Sequence, residues 1–378
     1  MIETVSFKNF KALRDVIVPL ERFTVLVGPN ASGKTSVLQG LDYLFFWRHA
    51  DRSFFKKERD FHVLRSRGAG SDSSVVIHGA GTWSQKQGSI ELSLFEYGDH
   101  SAMWAMKAIH GDRSFKYDEG EFHQEHGLEE TLLGDLTPTV DMLRLDANKL
   151  AQPSYSATLV PHIAPDGDGL AAVLAEMLIT RPDDFRRIEQ SLHAVIPSVD
   201  RIRLERSPVR RSELQHITVN GQTTTTTVER EYVGHRVVFD MHGATDLPAH
   251  GASEGTLITL GILTAIMSHK GAHLVLIDDL ERAIHPRAIA DLIAQLRQLL
   301  DMFLDLQIVA TSHSPYLIDH LDPKEVRLMI TDEGGAVTCA RLSDHPQLDR
   351  WKEFMRPGEI WSMVGEEWVR DRGAEPRA

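Results

Sequence analysis

Apolar residues along the chain fall into three patterns, and each predicts a different element. Short unbroken apolar runs at residues 23–27 (FTVLV), 273–277 (HLVLI) and 307–310 (QIVA) have the length of strands buried on both faces. Helical spacing follows them at residues 36–46, 253–268 and 286–303, and recurs at 170–179, 182–194 and 313–321. Strict alternation marks residues 3–7 and 15–20, then 74–78, 89–97 and 102–109, where Gly-rich polar turns separate the runs as in an antiparallel sheet. Residues 198–206, 215–219 and 232–241 also read as strands, with the threonine run 223–227 as an exposed turn or edge between them. A hairpin-like pair at 326–331 and 336–342 and a helical tail complete the chain.

Buried strands alternating with helices imply a parallel sheet with helices on both faces. The patterns divide the chain into residues 1–47, an inserted β-rich and basic region 48–142, a helical lobe with connecting strands 143–245, a second α/β part 246–342, and the tail 343–378. No internal repeat is present, and no long heptad pattern lies between Thr35 and Asp278.

The loop between the first buried strand and its helix carries the first recognisable chemistry. It reads Gly28-Pro29-Asn30-Ala31-Ser32-Gly33-Lys34-Thr35-Ser36, the Walker A spacing, between a strand and a helix as that motif requires. Its glycines let backbone N–H groups turn in around a phosphate, and the helix N-terminus adds positive potential. Lys34 reaches the β- and γ-oxygens, and the Thr35 hydroxyl can hold Mg²⁺. The loop implies a nucleoside triphosphate as ligand.

The run HLVLI ends in Asp278 and Asp279. A buried strand delivering an acid at its C-terminal edge is the Walker B arrangement, with Asp278 on the metal side and Asp279 placed to orient or deprotonate water. Capping of the helix near Pro286 is too far away to explain both. Residues 251–256 (GASEGT) head a helix and offer the Ser253 hydroxyl, Gly255 and backbone N–H groups to phosphate, although Ser253 also reads as an N-cap. His313 follows the next buried strand, where it can reach a γ-phosphate.

Composition narrows the class. With 42% hydrophobic and 25% charged residues the chain is ordinarily globular, and no apolar run approaches a membrane span. The start has neither a basic n-region nor an apolar h-region. The single cysteine, Cys339, rules out an intrachain disulfide and a zinc set, and the 19 histidines are scattered. These features point to a soluble cytoplasmic protein with no membrane partner. A net charge of −13 gives no sign of DNA binding, which would need a concentrated basic patch. The nearest to one is residues 48–67, where seven basic and three acidic residues are interleaved with Phe54, Phe55 and Phe61. That stretch reads as a recognition surface, for a partner protein ahead of DNA, or as a solvated helix face.

In this order the motifs resemble the ABC-type ATPase heads of the RecF, SMC and OLD-like group, and most of all the compact AAA-type ATPases of bacterial anti-phage defence systems. The resemblance covers residues 2–44 and 247–321, with 167–178 similar to the G-x-x-L-A-x-x-L helix of the family's helical lobe. It implies an α/β P-loop NTPase with an ABC-ATPase-like head, a mixed sheet with flanking helices, an inserted antiparallel β region and a helical lobe. It places residues 252–256 at the signature motif, His313 at the switch histidine, residues 281–286 (ERAIHP, with Glu281 a further catalytic candidate) at the D-loop, and Gln152 at the Q-loop, near nucleotide and metal. It departs from the family at Asp279, where a glutamate is usual, and at Ala252 and Glu254, where Leu and Gly are widespread. The resemblance implies a homodimer closed by ATP, each signature completing the other head's P-loop site. No acidic cluster follows His313, so any effector activity is expected from a separately encoded protein. A RecF-type DNA repair ATPase and a nucleotide-gated scaffold with little turnover are the competing readings.

Overall fold

The computed structural model of the chain describes residues 1–45, 61–70, 73–97, 101–118, 138–219, 222–269, 273–364 and 368–370. The strands are β1 (Ile2–Phe10), β2 (Leu13–Pro19), β3 (Phe23–Val27), β4 (Val75–Trp83), β5 (Lys86–Tyr97), β6 (Ser101–His110), β7 (Arg113–Asp118), β8 (Thr139–Leu143), β9 (Val199–Val219), β10 (Gln222–Met241), β11 (Ala244–Pro248), β12 (His273–Ile277), β13 (Leu306–Ser312), β14 (Val326–Thr331) and β15 (Val337–Arg341). The chain divides into two compact units, Met1–Met142 with Gly271–Glu281 and Arg297–Ala378, and Leu143–Lys270 with Arg282–Leu296.

The first unit holds two sheets. One has the order β15-β14-β3-β13-β12-β8, in which β14, β3, β13 and β12 run parallel and β15 turns back antiparallel on the edge. Every residue of β3, β12 and β13 is buried, which explains why their sequences are unbroken apolar runs rather than alternations. One of the polar residues among them, Gln307 on β13, is satisfied: its amide donates to the carbonyls of Ile2 and Glu21 and accepts from Ile2 N–H at 3.0 Å. Arg327 on β14 is fully buried, and burial lowers its guanidinium to about 10. It donates to the carbonyls of Pro19, Lys324 and Val326.

The other sheet is antiparallel, in the order β2-β1-β4-β5-β6-β7. The strands β1 and β2 directly precede the P-loop strand β3 in the chain and pair with each other, and β1 pairs also with β4, so the inserted hairpins extend the N-terminal hairpin. Alternate residues of β4 are buried, as its sequence pattern requires. The helix Lys34–Leu44 buries Val37, Leu38, Leu41 and Leu44 in a cluster with Phe7, Phe10 and Leu92 of this sheet and Leu26, Leu276 and Val309 of the parallel one. The helix that begins at the P-loop is therefore wedged into the main core, which fixes the loop ahead of it.

The second unit packs the helices Leu170–Thr180, Pro182–Val195 and Glu254–Ser268 beside a three-stranded sheet, β11-β10-β9. The strands β9 and β10 form one long ribbon, paired continuously from Arg201↔Asp240 to Val219↔Gln222. The threonine run thus lies within β10, paired to residues 214–218, and is not a turn. A run of identical polar residues has no periodicity of two, and Thr225, Thr226 and Thr227 are exposed, so the sequence pattern missed it. Near the ribbon's base Ser154 bridges to His235, and Tyr155 stacks on Tyr232 at 4.3 Å between ring centres.

Two further differences concern local structure. The predicted helix at 313–321 is a single turn, Pro315–Ile318, and β8 is a strand the sequence patterns leave unassigned. Of the basic stretch 48–67, residues 61–67 are described and include the turn Phe61–Leu64; Phe54, Phe55 and the rest of that expectation lie outside the described residues. Among the described residues no helix is long and apolar enough to cross a membrane.

Candidate functional site

Residues 28–33 connect β3 to the helix Lys34–Leu44. Gly28 has φ 148°, and a Cβ there would lie 2.0 Å from the carbonyl oxygen of Met329 on β14, so this turn admits only glycine. Pro29, Asn30 and Ala31 are exposed, Ser32, Gly33 and Lys34 are buried, and Thr35 and Ser36 are half-buried. The Lys34 ammonium donates to the carbonyls of Gly28 at 3.0 Å and Pro29 at 2.8 Å. The loop thus holds its own cation inside its curve.

The parallel register of β12 and β13 brings the acidic end of one strand beside the hydroxyl end of the other, since Ile277 is opposite Ala310. Thr311 Oγ1 donates to Asp278 Oδ1 at 2.8 Å and accepts the N–H of Asp279 at 2.8 Å. Thr35 Oγ1 donates to the same carboxylate, 3.0 Å from Oδ1 and 3.3 Å from Oδ2. Two hard oxygen groups, one from each motif, therefore meet at a half-buried point, a donor set suited to Mg²⁺. The sequence gives Thr311 no role of its own; its only signal is its place directly ahead of Ser312-His313.

Asp279 has φ 57°, a left-handed conformation that turns its side chain out of the strand, and the carboxylate is 52% exposed. His313 Nε2 is 3.9 Å from Asp279 Oδ1, and the N–H of His313 donates to Glu281 Oε1 at 2.7 Å. The other oxygen, Glu281 Oε2, is buried without a hydrogen-bond partner. Lys34, Thr35, Asp278, Asp279, Glu281 and His313 thus all belong to the first unit, on the parallel sheet and its connecting loops.

The remaining sequence candidates belong to the second unit. Ser253 caps the helix Glu254–Ser268: its Oγ accepts the N–H of Thr256 at 3.1 Å and lies 2.7 Å from the Thr256 hydroxyl. Gln152 is exposed and lines a cavity of about 400 Å³ with Asp146, Asn148, His250, Glu254 and Arg282. Gly255 is buried, and a Cβ there would lie 2.5 Å from the carbonyl oxygen of Ala283. Close packing against residues 282–284 accounts for that glycine without any ligand.

A Walker A loop after β3 and an acid at the end of β12, joined through Thr35 although β13 lies between the two strands, define a P-loop NTPase fold like that of ABC-type ATPase heads. Comparison with known proteins places the chain within that class. The family described as "AAA domain, putative AbiEii toxin, Type IV TA system" matches residues 23–319, and the chain belongs to it. An OLD nuclease of Thermus scotoductus (strain ATCC 700910 / SA-01) is 43% identical over 42 residues, which are 11% of this chain and 8% of the nuclease. Among solved structures, an SMC head bound to the C-winged helix domain of ScpA aligns with a TM-score of 0.50 at 13% identity, covering 92% of this chain and 99% of that one. An SMC head domain from Thermotoga maritima aligns at 0.43 and 10% identity, covering 90% and 98%. The likeness to the ScpA-bound head is one of fold.

Proposed function

We propose that this chain is an ATP-hydrolysing switch that closes as a homodimer on ATP, loosens on hydrolysis and controls a separately encoded effector, in the cytoplasm, as part of anti-phage defence. The observation that carries the nucleotide part is the pair of hydroxyls, Thr35 and Thr311, that converge on Asp278. The family description, which names a toxin of a toxin–antitoxin system, supports a role opposite a second gene product.

In this reading the loop N–H groups of residues 28–33 and the Lys34 ammonium take the phosphates. Thr35 and Asp278 would hold Mg²⁺, which would supply charge neutralisation on the triphosphate; Gln152 is kept as the Q-loop candidate that the family resemblance implies. Asp279 orients the attacking water and takes its proton, while His313 contacts the γ-phosphate. Ser253 and the N–H groups at the start of the helix Glu254–Ser268 contact the triphosphate held by a second copy.

The test is steady-state phosphate release with Mg²⁺ and ATP, run beside light scattering with and without nucleotide. Turnover that Lys34→Ala abolishes, together with ATP-dependent dimers, supports the switch. Turnover that appears only with added DNA would favour a repair ATPase, and dimers without turnover would favour a nucleotide-gated scaffold.

A further inference from the structure

The first turn of the helix Glu254–Ser268 carries a carboxylate where the proposed function needs room for phosphate. Glu254 lies directly after the capping Ser253, and its side chain is 46% exposed. A carboxylate there is favourable to the helix itself, because it faces the positive end of the dipole. The same charge takes up the potential that an incoming triphosphate would otherwise use, and repels it.

The fold places one cation against that carboxylate. Arg282 Nε is 3.5 Å from Glu254 Oε1, its Nη1 donates to the Leu145 carbonyl at 3.4 Å, and the side chain is 51% exposed. The approach is built into the backbone. Gly255 lets the Ala283 carbonyl come within 2.5 Å of where a Cβ would stand, which seats residues 282–284 on the helix's first turn. Both side chains line the same cavity, with Asp146, Asn148, Gln152 and His250. An exposed pair of this kind contributes little to stability, so its value is not in holding the fold.

We infer that Arg282 is a positioning residue for nucleotide contact between two copies: it neutralises Glu254 so that the helix start at Ser253 accepts a nucleoside triphosphate carried by a second chain. Its planar guanidinium can keep the Glu254 contact and offer further N–H donors to a phosphate oxygen. This inference rests on the dimer reading above, and the experiment separates the two.

Full-length wild type, Glu254→Gln, Arg282→Ala, Arg282→Lys and the double variant Arg282→Ala/Glu254→Gln are compared by sedimentation with Mg²⁺ and a non-hydrolysable ATP analogue. Each is titrated to saturation and checked for fold by circular dichroism. Arg282→Ala should weaken nucleotide-dependent dimerisation by about tenfold or more, as removing one partner of a charge pair at an interface does. The double variant should recover most of that loss, and Arg282→Lys should retain most of the wild-type association. Should Arg282→Ala misfold, Glu254→Gln alone still decides, since it should dimerise at least as readily as wild type. Wild-type association in Arg282→Ala, a double variant as impaired as Arg282→Ala, or weaker association in Glu254→Gln would overturn the inference. If wild type and Glu254→Gln both stay monomeric with analogue bound, it is the dimer reading that has failed, and the inference falls with it.

Discussion

The carboxylate of Glu281 holds the backbone N–H of His313 at 2.7 Å, so the connection after β12 fixes the connection after β13. The side chain of His313 is 41% exposed and has Asp279 as its neighbour at 3.9 Å. Glu281 therefore sets where the histidine can point without needing to touch a substrate. Glu281→Ala is expected to slow ATP hydrolysis by roughly 10²-fold, the scale of a misplaced catalytic group, while ATP still binds. Glu281→Gln keeps an acceptor for the His313 N–H and should retain most of the activity. Steady-state turnover and calorimetric ATP affinity of the two variants make the check. Equal loss in both would mean that the negative charge, and not the geometry, is what the site uses.

Lys34 offers the simplest test of the phosphate loop. It is buried, and its ammonium donates to the carbonyls of Gly28 and Pro29 and lies 3.4 Å from Ser32 Oγ in its own loop. Lys34→Ala should reduce ATP affinity by at least about tenfold, because charge-assisted bonds to phosphate are the strong ones. Circular dichroism should show the fold retained. Unchanged calorimetric affinity in a folded variant would remove the assignment.

The adjacent acids Asp278 and Asp279 should separate in their effects. Asp278 binds two hydroxyls and belongs to the proposed Mg²⁺ set, so Asp278→Ala is expected to abolish Mg²⁺-dependent turnover. Asp279 occupies a left-handed conformation that asparagine also tolerates, so Asp279→Asn alters the chemistry with little strain. It should lower the rate by about 10²-fold or more while nucleotide and dimer persist. Phosphate release and light scattering report the two effects. Undiminished hydrolysis in Asp279→Asn would move the general base elsewhere.

How far these features were legible in the sequence depends on whether they are local. The phosphate loop is contiguous, and Asp278 and Asp279 end an apolar run, so both could be read directly. The roles of Thr311 and Arg282 could not. Thr311 meets Asp278 only through the parallel register of β12 on β13, and Arg282 meets Glu254 only because Gly255 lets a distant carbonyl approach. Pairing of β1 with β4 is likewise a long-range choice between two sheets with similar apolar faces. The parallel core was clear because its strands are buried on both sides, whereas the outer part of the β9–β10 ribbon has no such signature.

That ribbon yields the last prediction. Its base is held by the Tyr155–Tyr232 stack, by Arg211 over the Tyr155 ring at 5.0 Å, and by Arg211 with Asp168 at 3.8 Å. Outward of Arg211 and Arg230 the described side chains are mostly exposed, and pairs such as Arg230 with Glu213 at 3.6 Å link the two strands to each other. A two-stranded ribbon is marginal by itself, so its outer half adds little to the fold. Joining Ser212 to Glu229 through Asn-Gly preserves their cross-strand register and suits a tight turn. The shortened chain should lose less than about 1 kcal/mol of stability, as for other surface changes, and should bind ATP like the parent. Thermal melts and nucleotide titration measure both. A large drop in melting temperature would show that the outer ribbon is part of the folding unit; unchanged values would leave it free to serve contacts outside the chain.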